Sequence, residues 1–389
     1  MQNRSKLPDV GLNIFTIMSK MASDYKSINL GQGFPDFNTD EKLINLVTEA
    51  MKDGFNQYPY MTGIPSLRNI VGEKVKTLYG CYYDDETEIT ITSGATEAIM
   101  SIILANVGKG DEVIVLEPCY DCYLPAIQLA GGQSVSIPMI PPTTTEKNYR
   151  VDWDRVKASI TKKTKMLIIN FPHNPTGAIM KEEDLDRLEQ IVEHSNILIL
   201  SDEVYEHIVF DDVKHLSVTS RSSLLERTFH VSSFGKTTHT TGWKVGYVCA
   251  PKKLTMELRK VHQFVVFTVP TPFQYALAAY TKDSSTYLNI SKFYQDKRDR
   301  LMEGLLKTQF KPLPSPGTFF MLADYSEISD SSESAFSMWL TKTHGVTVIP
   351  VSAFYKYPDL SESNHKLVRF CFAKKESTID YAIERLMKI

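Results

Sequence analysis

The sequence predicts an α/β fold, with a large three-layer α/β/α domain built on a mostly parallel sheet and a smaller α+β domain after it. Strand-like and helix-like segments alternate over most of the chain, which is typical of a parallel sheet with helices on its faces. Two predicted strands contain the continuous apolar runs Met166-Leu167-Ile168-Ile169 and Ile197-Leu198-Ile199-Leu200, as expected for strands buried on both faces. Beyond the turn-rich segment 312–317 the order of elements changes, which marks the second domain.

The large domain is predicted to span residues 43–283. Its strand candidates are residues 88–92, 112–116, 165–170, 197–201, 228–232 and 245–250. Helix-like stretches lie at residues 95–107, 181–194 and 251–267. This alternation predicts helices on both faces of the sheet.

The small domain is predicted to span residues 284–389. It should begin with a charged helix from residue 287 to about residue 308. The predicted elements that follow are strand 318–323, helix 333–344, strands 347–350 and 367–372, and a closing helix 377–387. Residues 1–42 are predicted to form an N-terminal segment that packs with the small domain and the active site.

Composition and charge exclude several classes of partner. The 389 residues are 42% hydrophobic and 23% charged, with a formal net charge of -3. No basic block indicates nucleic acid, and no apolar run of about 18 residues indicates a membrane span. The N-terminus starts with polar sequence rather than a signal core, so we expect a cytoplasmic protein. Cys119 and Cys122 form a C-x-x-C pair without a second pair or a histidine cluster, so we expect packing cysteines and no metal site.

Lys236 is the most informative residue of the chain. It follows the predicted strand 228–232 in Ser233-Phe234-Gly235-Lys236-Thr237, and Lys244 lies eight residues further on. A lysine at a strand end with a second cation nearby indicates a nucleophilic amine beside an anion pocket. Pyridoxal 5'-phosphate (PLP) needs both, because an amine holds its aldehyde and anion donors hold its phosphate. The alternatives are a surface lysine or a nucleotide P-loop, but His230 stands where a P-loop requires its leading glycine.

Two further polar residues follow predicted strands. Asn174 comes after strand 165–170 and Asp202 after strand 197–201, and ligands of open α/β sheets bind beyond such strand ends. Asp202 would pair with the protonated ring nitrogen of PLP, which keeps the ring an electron sink. Tyr205 would donate to the phenolic oxygen of the ring, as could Asn174. The alternative is a helix cap at Asp202 and a packing tyrosine.

Five motifs together resemble fold-type I PLP-dependent aminotransferases of class I/II, in the same order and over nearly the whole chain. They are Asn174-Pro175-Thr176-Gly177, Asp202-Glu203-Val204-Tyr205, Ser233-Phe234-Gly235-Lys236, Thr241-Gly242-Trp243-Lys244-Val245-Gly246-Tyr247 and Val368-Arg369-Phe370. Within that family the chain resembles the kynurenine/glutamine aminotransferase subgroup in two segments, Leu30-Gly31-Gln32-Gly33-Phe34-Pro35-Asp36-Phe37 and Glu117-Pro118-Cys119-Tyr120-Asp121-Cys122-Tyr123. It is most similar to the bacterial methionine aminotransferases, which share runs like Ser201-Asp202-Glu203-Val204-Tyr205-Glu206-His207.

The resemblance implies Lys236, Asp202 and Tyr205 as catalytic residues and a further set for the cofactor. Phosphate contacts would come from Gly94, Ala95 and Thr96 at a helix start, from Ser233 and Lys244, and from Tyr58 of a neighbouring subunit; Tyr120 would stack on the ring. A homodimer with shared active sites is therefore implied. The alternatives are an ordinary helix cap by Ser93 or Thr96, and a plain turn aromatic at Tyr58.

The resemblance also implies a substrate site. Arg369 lies in an apolar strand, where a buried guanidinium is costly unless it meets an anion. Its implied role is to bind the α-carboxylate, aided by Asn174 and the backbone at Gly33, and the alternative is an internal salt bridge. Apolar walls would come from Phe15, Phe34, Phe267 and Phe354, which could equally be core residues.

The predicted function is therefore a ping-pong aminotransferase that moves the amino group of a methionine-like, aromatic or other neutral L-amino acid to a 2-oxo acid. The alternative on the same fold is a cysteine-S-conjugate or cystathionine β-lyase. Two positions depart from many relatives, which carry arginine at the position of Lys244 and tyrosine at the position of Thr237. Neither change removes a required chemical role.

Overall fold

A computed structural model describes residues 5–8, 10–360 and 363–389. The strands are β1 Ile28–Asn29, β2 Ile89–Thr92, β3 Glu112–Glu117, β4 Gln133–Pro138, β5 Thr164–Asn170, β6 Leu198–Asp202, β7 Thr228–Ser233, β8 Gly246–Cys249, β9 Lys311–Pro312, β10 Phe320–Asp324, β11 Val346–Thr347, β12 Ile349–Pro350 and β13 Leu367–Cys371. The α-helices are α1 Ile14–Asp24, α2 Glu41–Lys52, α3 Pro65–Tyr79, α4 Gly94–Asn106, α5 Tyr123–Ala130, α6 Trp153–Ala158, α7 Glu182–Val192, α8 Ser222–Leu225, α9 Phe234–Thr237, α10 Lys252–Val265, α11 Thr271–Thr281, α12 Ser285–Leu288, α13 Ile290–Leu305, α14 Glu333–Trp339 and α15 Glu376–Leu386.

The central sheet has seven strands in the order β2-β8-β7-β6-β5-β3-β4. Strands β3 to β7 pair in parallel, and β8 runs antiparallel to its neighbours β2 and β7. The predicted α/β class with a mostly parallel sheet is confirmed. The arrangement places the ends of β5, β6 and β7 side by side.

The apolar runs in the central strands serve two separate cores. Ile114 and Leu167 belong to a cluster that includes residues of α6 and α7, whereas Val115 and Ile168 belong to a cluster that includes residues of α4, α5 and α10. Since neighbouring residues of a strand point to opposite faces, a sheet covered on both sides needs apolar side chains at every position. This is why polar and apolar residues do not alternate along these strands.

The strand β4 was not among the predicted strands. It lies at the edge of the sheet, pairs only with β3 among the named strands, and carries Gln133, Ser134 and Ser136. An edge strand is covered less than a central one and can carry polar residues. A search for apolar runs therefore does not find it. The short strands β1 and β9 and several helices, among them α1, α2 and α3, were also not among the predicted elements. The boundaries of the elements that were predicted move by a few residues, and the predicted helix 287–308 is divided between α12 and α13.

The C-terminal region contains the antiparallel sheet β12-β13-β10-β9. The N-terminal residues reach it, because β1 pairs in parallel with β11 through Ile28 and Val346, and α1 packs on Ile349. These contacts join the described part of the N-terminal segment to the C-terminal region, while the packing predicted for residues 1–42 and the three domain limits stay predictions.

Within the residues that the structure describes, no helix is long and apolar enough to cross a membrane. The same residues hold no cluster of three or more histidine, cysteine, aspartate or glutamate side chains suited to a metal ion. All five cysteines are free thiols. The cytoplasmic location stays a prediction.

Candidate active site

A cavity of about 270 Å³ opens beyond the carboxyl ends of β5, β6 and β7. It brings together thirteen of the predicted site residues: Phe15, Gly33, Gly94, Ala95, Thr96, Tyr120, Asn174, Asp202, Tyr205, Ser233, Lys236, Lys244 and Arg369. The register explains part of this convergence, since Asn170 at the end of β5 lies opposite Asp202 at the end of β6. Strand-end residues of a parallel sheet meet at one edge, as the sequence predicted.

Lys236 lies in α9, the single helical turn that follows β7. Its amine is 5.3 Å from the ring centre of Phe319 and 5.6 Å from that of Tyr205. Burial lowers the pKa of Lys236 to about 8, and the positive charges of Lys244 and Arg369 act in the same direction. An amine with this pKa exchanges protons near neutral pH, which suits a general base.

Asp202 is a buried carboxylate without a cationic partner among the described residues. The Tyr123 hydroxyl donates to Oδ2 at 2.6 Å and the Val204 N–H donates to Oδ1 at 3.4 Å. Burial raises the pKa of Asp202 to about 6, although the Tyr123 hydrogen bond opposes the shift. The residues after Asp202 form a turn rather than a helix, so the helix-cap alternative does not apply. A buried carboxylate of this kind calls for a cationic ligand.

The start of α4 and Lys244 together form an anion cradle. Gly94 has a φ of +69°, and a Cβ atom there would lie 3.3 Å from Cε and 3.4 Å from Nζ of Lys244. The Ser93 side chain makes no capping hydrogen bond, and its backbone N–H donates to Glu97 at 3.0 Å. The helix therefore presents its N-terminus to the cavity beside an ammonium group and the Ser233 side chain, a favourable site for a phosphate.

Arg369 is a buried cation with neutral partners, only 1% exposed. Its NH1 donates to Asn174 Oδ1 at 2.7 Å and its NH2 donates to the Gly31 carbonyl at 2.9 Å, whereas Nε has no hydrogen-bond partner in the described structure. Burial lowers the pKa of Arg369 to about 10. No carboxylate of the described residues lies within ion-pair distance, so the internal salt bridge is not the arrangement found. The guanidinium therefore has capacity for an external anion.

Three aromatic rings lie close to that guanidinium. Its central carbon lies 3.8 Å from the ring centre of Phe320, 4.9 Å from that of Phe354 and 5.2 Å from that of Phe15. Gly33 packs directly on one of these rings, because a Cβ atom at Gly33 would lie 2.7 Å from Cζ of Phe320. Phe354 is thus placed behind Arg369 rather than in the cavity wall.

Besides Phe354, three predicted residues do not line the cavity of a single chain. Tyr58 is 82% exposed and meets the exposed Phe267 edge-on, with ring centres 5.4 Å apart. Phe34 is also exposed, and its carbonyl accepts from the Lys374 amine at 2.8 Å. Their roles in the site stay predictions.

The residues of the cavity or its supports that were not predicted include Tyr123, Phe320, Gln32 and Asn170. Tyr123 bonds Asp202, Phe320 stacks on Arg369, and Gln32 lines the cavity. Asn170 donates to the Asp202 carbonyl at 2.7 Å and accepts from the Asn174 N–H at 2.9 Å. As the last residue of β5, Asn170 could have been found by the strand-end rule, whereas no local pattern marks Tyr123.

The chain belongs to the family of class I and II aminotransferases, whose model matches residues 25–386. Among its relatives is the methionine aminotransferase of Escherichia coli (strain K12), 44% identical over 387 residues, which cover 99% of this chain and 98% of that protein. Kynurenine–oxoglutarate transaminase 1 of Homo sapiens is 32% identical over 410 residues, with 98% and 97% covered. A crystal structure of an Escherichia coli protein identified as a methionine aminotransferase superposes with a TM-score of 0.95 at 44% identity, covering 100% of both chains.

The predicted family, its relation to bacterial methionine aminotransferases and the aminotransferase function are thereby confirmed. The fold agrees with fold type I, since the matching structures include aminotransferases over the full chain. Aminotransferases of this family are in general PLP-dependent.

Proposed function

We propose that this aminotransferase binds PLP in the cavity beside Lys236 and uses neutral L-amino acids as amino donors. One observation carries the proposal: a single cavity joins a buried amine, an anion cradle, a buried carboxylate without a cation and a buried guanidinium without an anion. Each of these groups lacks a counterpart that PLP or an amino acid would supply.

The donor set suits the cofactor at three points. The phosphate would be held by Gly94, Ala95, Thr96, Ser233 and Lys244. Gly94 and Lys244 lie side by side, because a Cβ atom at position 94 would be 3.4 Å from the Lys244 amine. Asp202 would hold a proton on the ring nitrogen, and Tyr120 would stack on the ring. Tyr205 and Asn174 would donate to the phenolic oxygen of the ring.

Bound PLP supplies an electron sink that stabilises negative charge at the α-carbon of the amino acid. Lys236 would remove the α-proton and later deliver it, because its lowered pKa leaves a useful fraction of neutral amine. Arg369, whose guanidinium carbon lies 3.8 Å from the ring centre of Phe320, would orient the amino acid through its α-carboxylate.

The charges in the cavity support a neutral side chain. Its cationic residues are Lys236, Lys244 and Arg369, and the first two have roles toward the cofactor. A second carboxylate on the substrate would therefore find no cation among the described cavity residues. Phe15 and Phe320 offer apolar surface, which favours a methionine-like or aromatic donor, and thioethers contact aromatic rings well. Relatives named for methionine and kynurenine support the same class.

Reconstitution tests the proposal. The cofactor-free protein should bind PLP with a visible absorption band, and borohydride reduction followed by peptide mapping should label Lys236. Methionine and aromatic donors alone should then give at most one equivalent of 2-oxo acid per site, and continued turnover should require an acceptor 2-oxo acid. Labelling of another residue would refute the cofactor site. Pyruvate release from cysteine conjugates without an acceptor, at rates above transamination, would favour the β-lyase instead.

We also propose a homodimer in which Tyr58 reaches the phosphate bound by the partner subunit. An exposed aromatic pair supports it, since Tyr58 and Phe267 pack together, and Phe264, three residues earlier in the sequence, is also exposed. Tyr58→Phe should weaken PLP binding by about tenfold, the loss expected for a hydrogen bond to a charged group.

Mixing two variants tests the sharing of sites. Hybrid dimers of Tyr58→Phe and Lys236→Ala chains would hold one site with both native residues, and so should recover wild-type affinity at that site. A mixture that only averages the two parents would refute the shared site.

A further inference from the structure

A second buried carboxylate lies behind the cavity, in the turn that follows β6. The Glu206 side chain is fully buried and accepts from the Lys74 amine at 2.7 Å and from the Tyr247 hydroxyl at 2.8 Å. The hydroxyls of Tyr79 and Ser232 also donate to it. Both oxygens are engaged, so this carboxylate has no capacity left for a ligand.

The donors come from three different elements. Lys74 and Tyr79 belong to α3, Ser232 belongs to β7 and Tyr247 belongs to β8. Lys74 is itself buried, and its amine also lies 3.1 Å from Nε2 of His207. A fully satisfied buried network of this kind holds its elements in one arrangement.

The turn that contains Glu206 and the strand β7 that contains Ser232 also lead to residues of the cavity. The turn from Asp202 to Glu206 includes Asp202 and Tyr205, and Ser232 directly precedes Ser233. The bond between Glu206 and Ser232 therefore ties the residues proposed for the ring to those proposed for the phosphate. Glu206 and Lys74 do not line the cavity.

We propose that Glu206, neutralised by Lys74, is a positioning residue that sets the Asp202–Tyr205 turn against the Ser233–Lys236 segment. The inference rests on the proposed PLP site and adds residues that act through others. It predicts that loss of one charge of the pair disturbs the cofactor site, because a lone buried charge forces its surroundings to rearrange.

Three variants test the pair. Glu206→Gln keeps the size of the side chain but leaves Lys74 without its partner, and Lys74→Met leaves Glu206 without its cation. The double variant removes both charges. We expect each single variant to raise the Kd for PLP about tenfold or more and to change the visible circular dichroism of the bound cofactor, and the double variant to recover most of both.

Leu188→Ala in α7 is the matched control. Leu188 is buried in a different core cluster, so its truncation lowers stability without contacting the turn or β7. This variant should keep the wild-type Kd and circular dichroism. Single variants that behave like Leu188→Ala, with lower stability but unchanged binding and dichroism, would overturn the inference.

Should both single variants fail to fold, Tyr247→Phe removes one donor to Glu206 and should raise the Kd about threefold. An unchanged Kd for that variant would also overturn the inference. Failure of the wild-type protein to bind PLP would instead overturn the proposed function, and the inference with it.

Discussion

Asp202 and Glu206 are two buried carboxylates four residues apart, and their pKa values are shifted in opposite directions. Burial would raise the pKa of Glu206, but the charge of Lys74 and its hydrogen bond, together with nearby histidines, hold the pKa well below the ordinary value. Burial raises the pKa of Asp202 to about 6, and the Tyr123 hydrogen bond and the charge of Lys236 oppose this shift without cancelling it. Glu206 thus has an ion-pair partner behind the cavity, whereas Asp202 has none within ion-pair distance among the described residues, which supports the proposal that Asp202 binds a ligand.

The same comparison can be made for two buried arginines, Arg298 and Arg369. Arg298, in α13, is a mostly buried arginine that meets Asp211 through two hydrogen bonds of 2.6 and 2.8 Å. Arg369 is more deeply buried and has only an amide and a carbonyl as acceptors. Buried charges that lack partners are expensive, so a fold retains them where a ligand completes them.

The largest effect on activity is expected when Lys236 in the cavity is replaced. Lys236→Ala should lower the transamination rate by about 10⁴-fold, the upper end of what a positioned proton-transfer group contributes, because the group proposed to move the α-proton is gone. The thermal unfolding curve should show a cooperative transition as in the wild type. Lys253→Ala, at an exposed position of α10, is the control and should keep full activity. Wild-type rates for Lys236→Ala would rule out the assignment.

Asp202→Asn tests the unpaired carboxylate itself. We expect kcat to fall about 10³-fold, the size of effect that follows the loss of one partner from a buried ion pair. The measurement is single-turnover transamination at saturating PLP. A loss of less than tenfold would place the ring nitrogen elsewhere.

The same variant gives a pH signature in the cofactor-free protein. A carboxyl whose pKa is raised from about 4 to about 6 stabilises the fold below pH 4 and loses that contribution as the pH rises through 6. The asparagine does not titrate. Urea unfolding should therefore show the variant gaining about 2–3 kcal/mol relative to wild type between pH 4 and pH 7. A difference that is flat with pH would contradict the raised pKa.

Arg369→Lys tests the unpaired guanidinium and should have a smaller effect. An ammonium keeps the charge but cannot bind a carboxylate with two parallel hydrogen bonds or stack flat on Phe320. We expect kcat/KM for methionine to fall about 10²-fold, mainly through KM, with the Kd for PLP nearly unchanged. An equal loss in PLP affinity would show that Arg369 acts through the cofactor.

The sequence predicted most of what the strand ends control. Apolar runs marked the central strands, and polar residues just beyond them gave Asn174, Asp202 and Lys236, which the cavity brings together. Family motifs added Gly94 and Arg369, whose surroundings no local pattern reveals.

Other features depend on distant contacts. Tyr123 begins a helix, and nothing in its neighbours shows that its hydroxyl reaches a carboxylate on another strand. Phe320 looks like any apolar strand residue until Arg369 is placed on the adjacent strand. Tyr58 and Phe267 remain exposed in one chain, so their proposed roles need a second copy.

The pairing of β1 with β11 joins residues from opposite ends of the chain. A ribosome makes the chain from its N-terminus, so Gly94 to Lys244 emerge, and can fold, well before β11 and Arg369 exist. Ile28 and Asn29 therefore have no partner strand until residues 346–347 have been synthesised. The strand β1 can therefore pair only after the C-terminal region has been made, and the residues proposed for the phosphate can fold before the residue proposed for the substrate carboxylate exists.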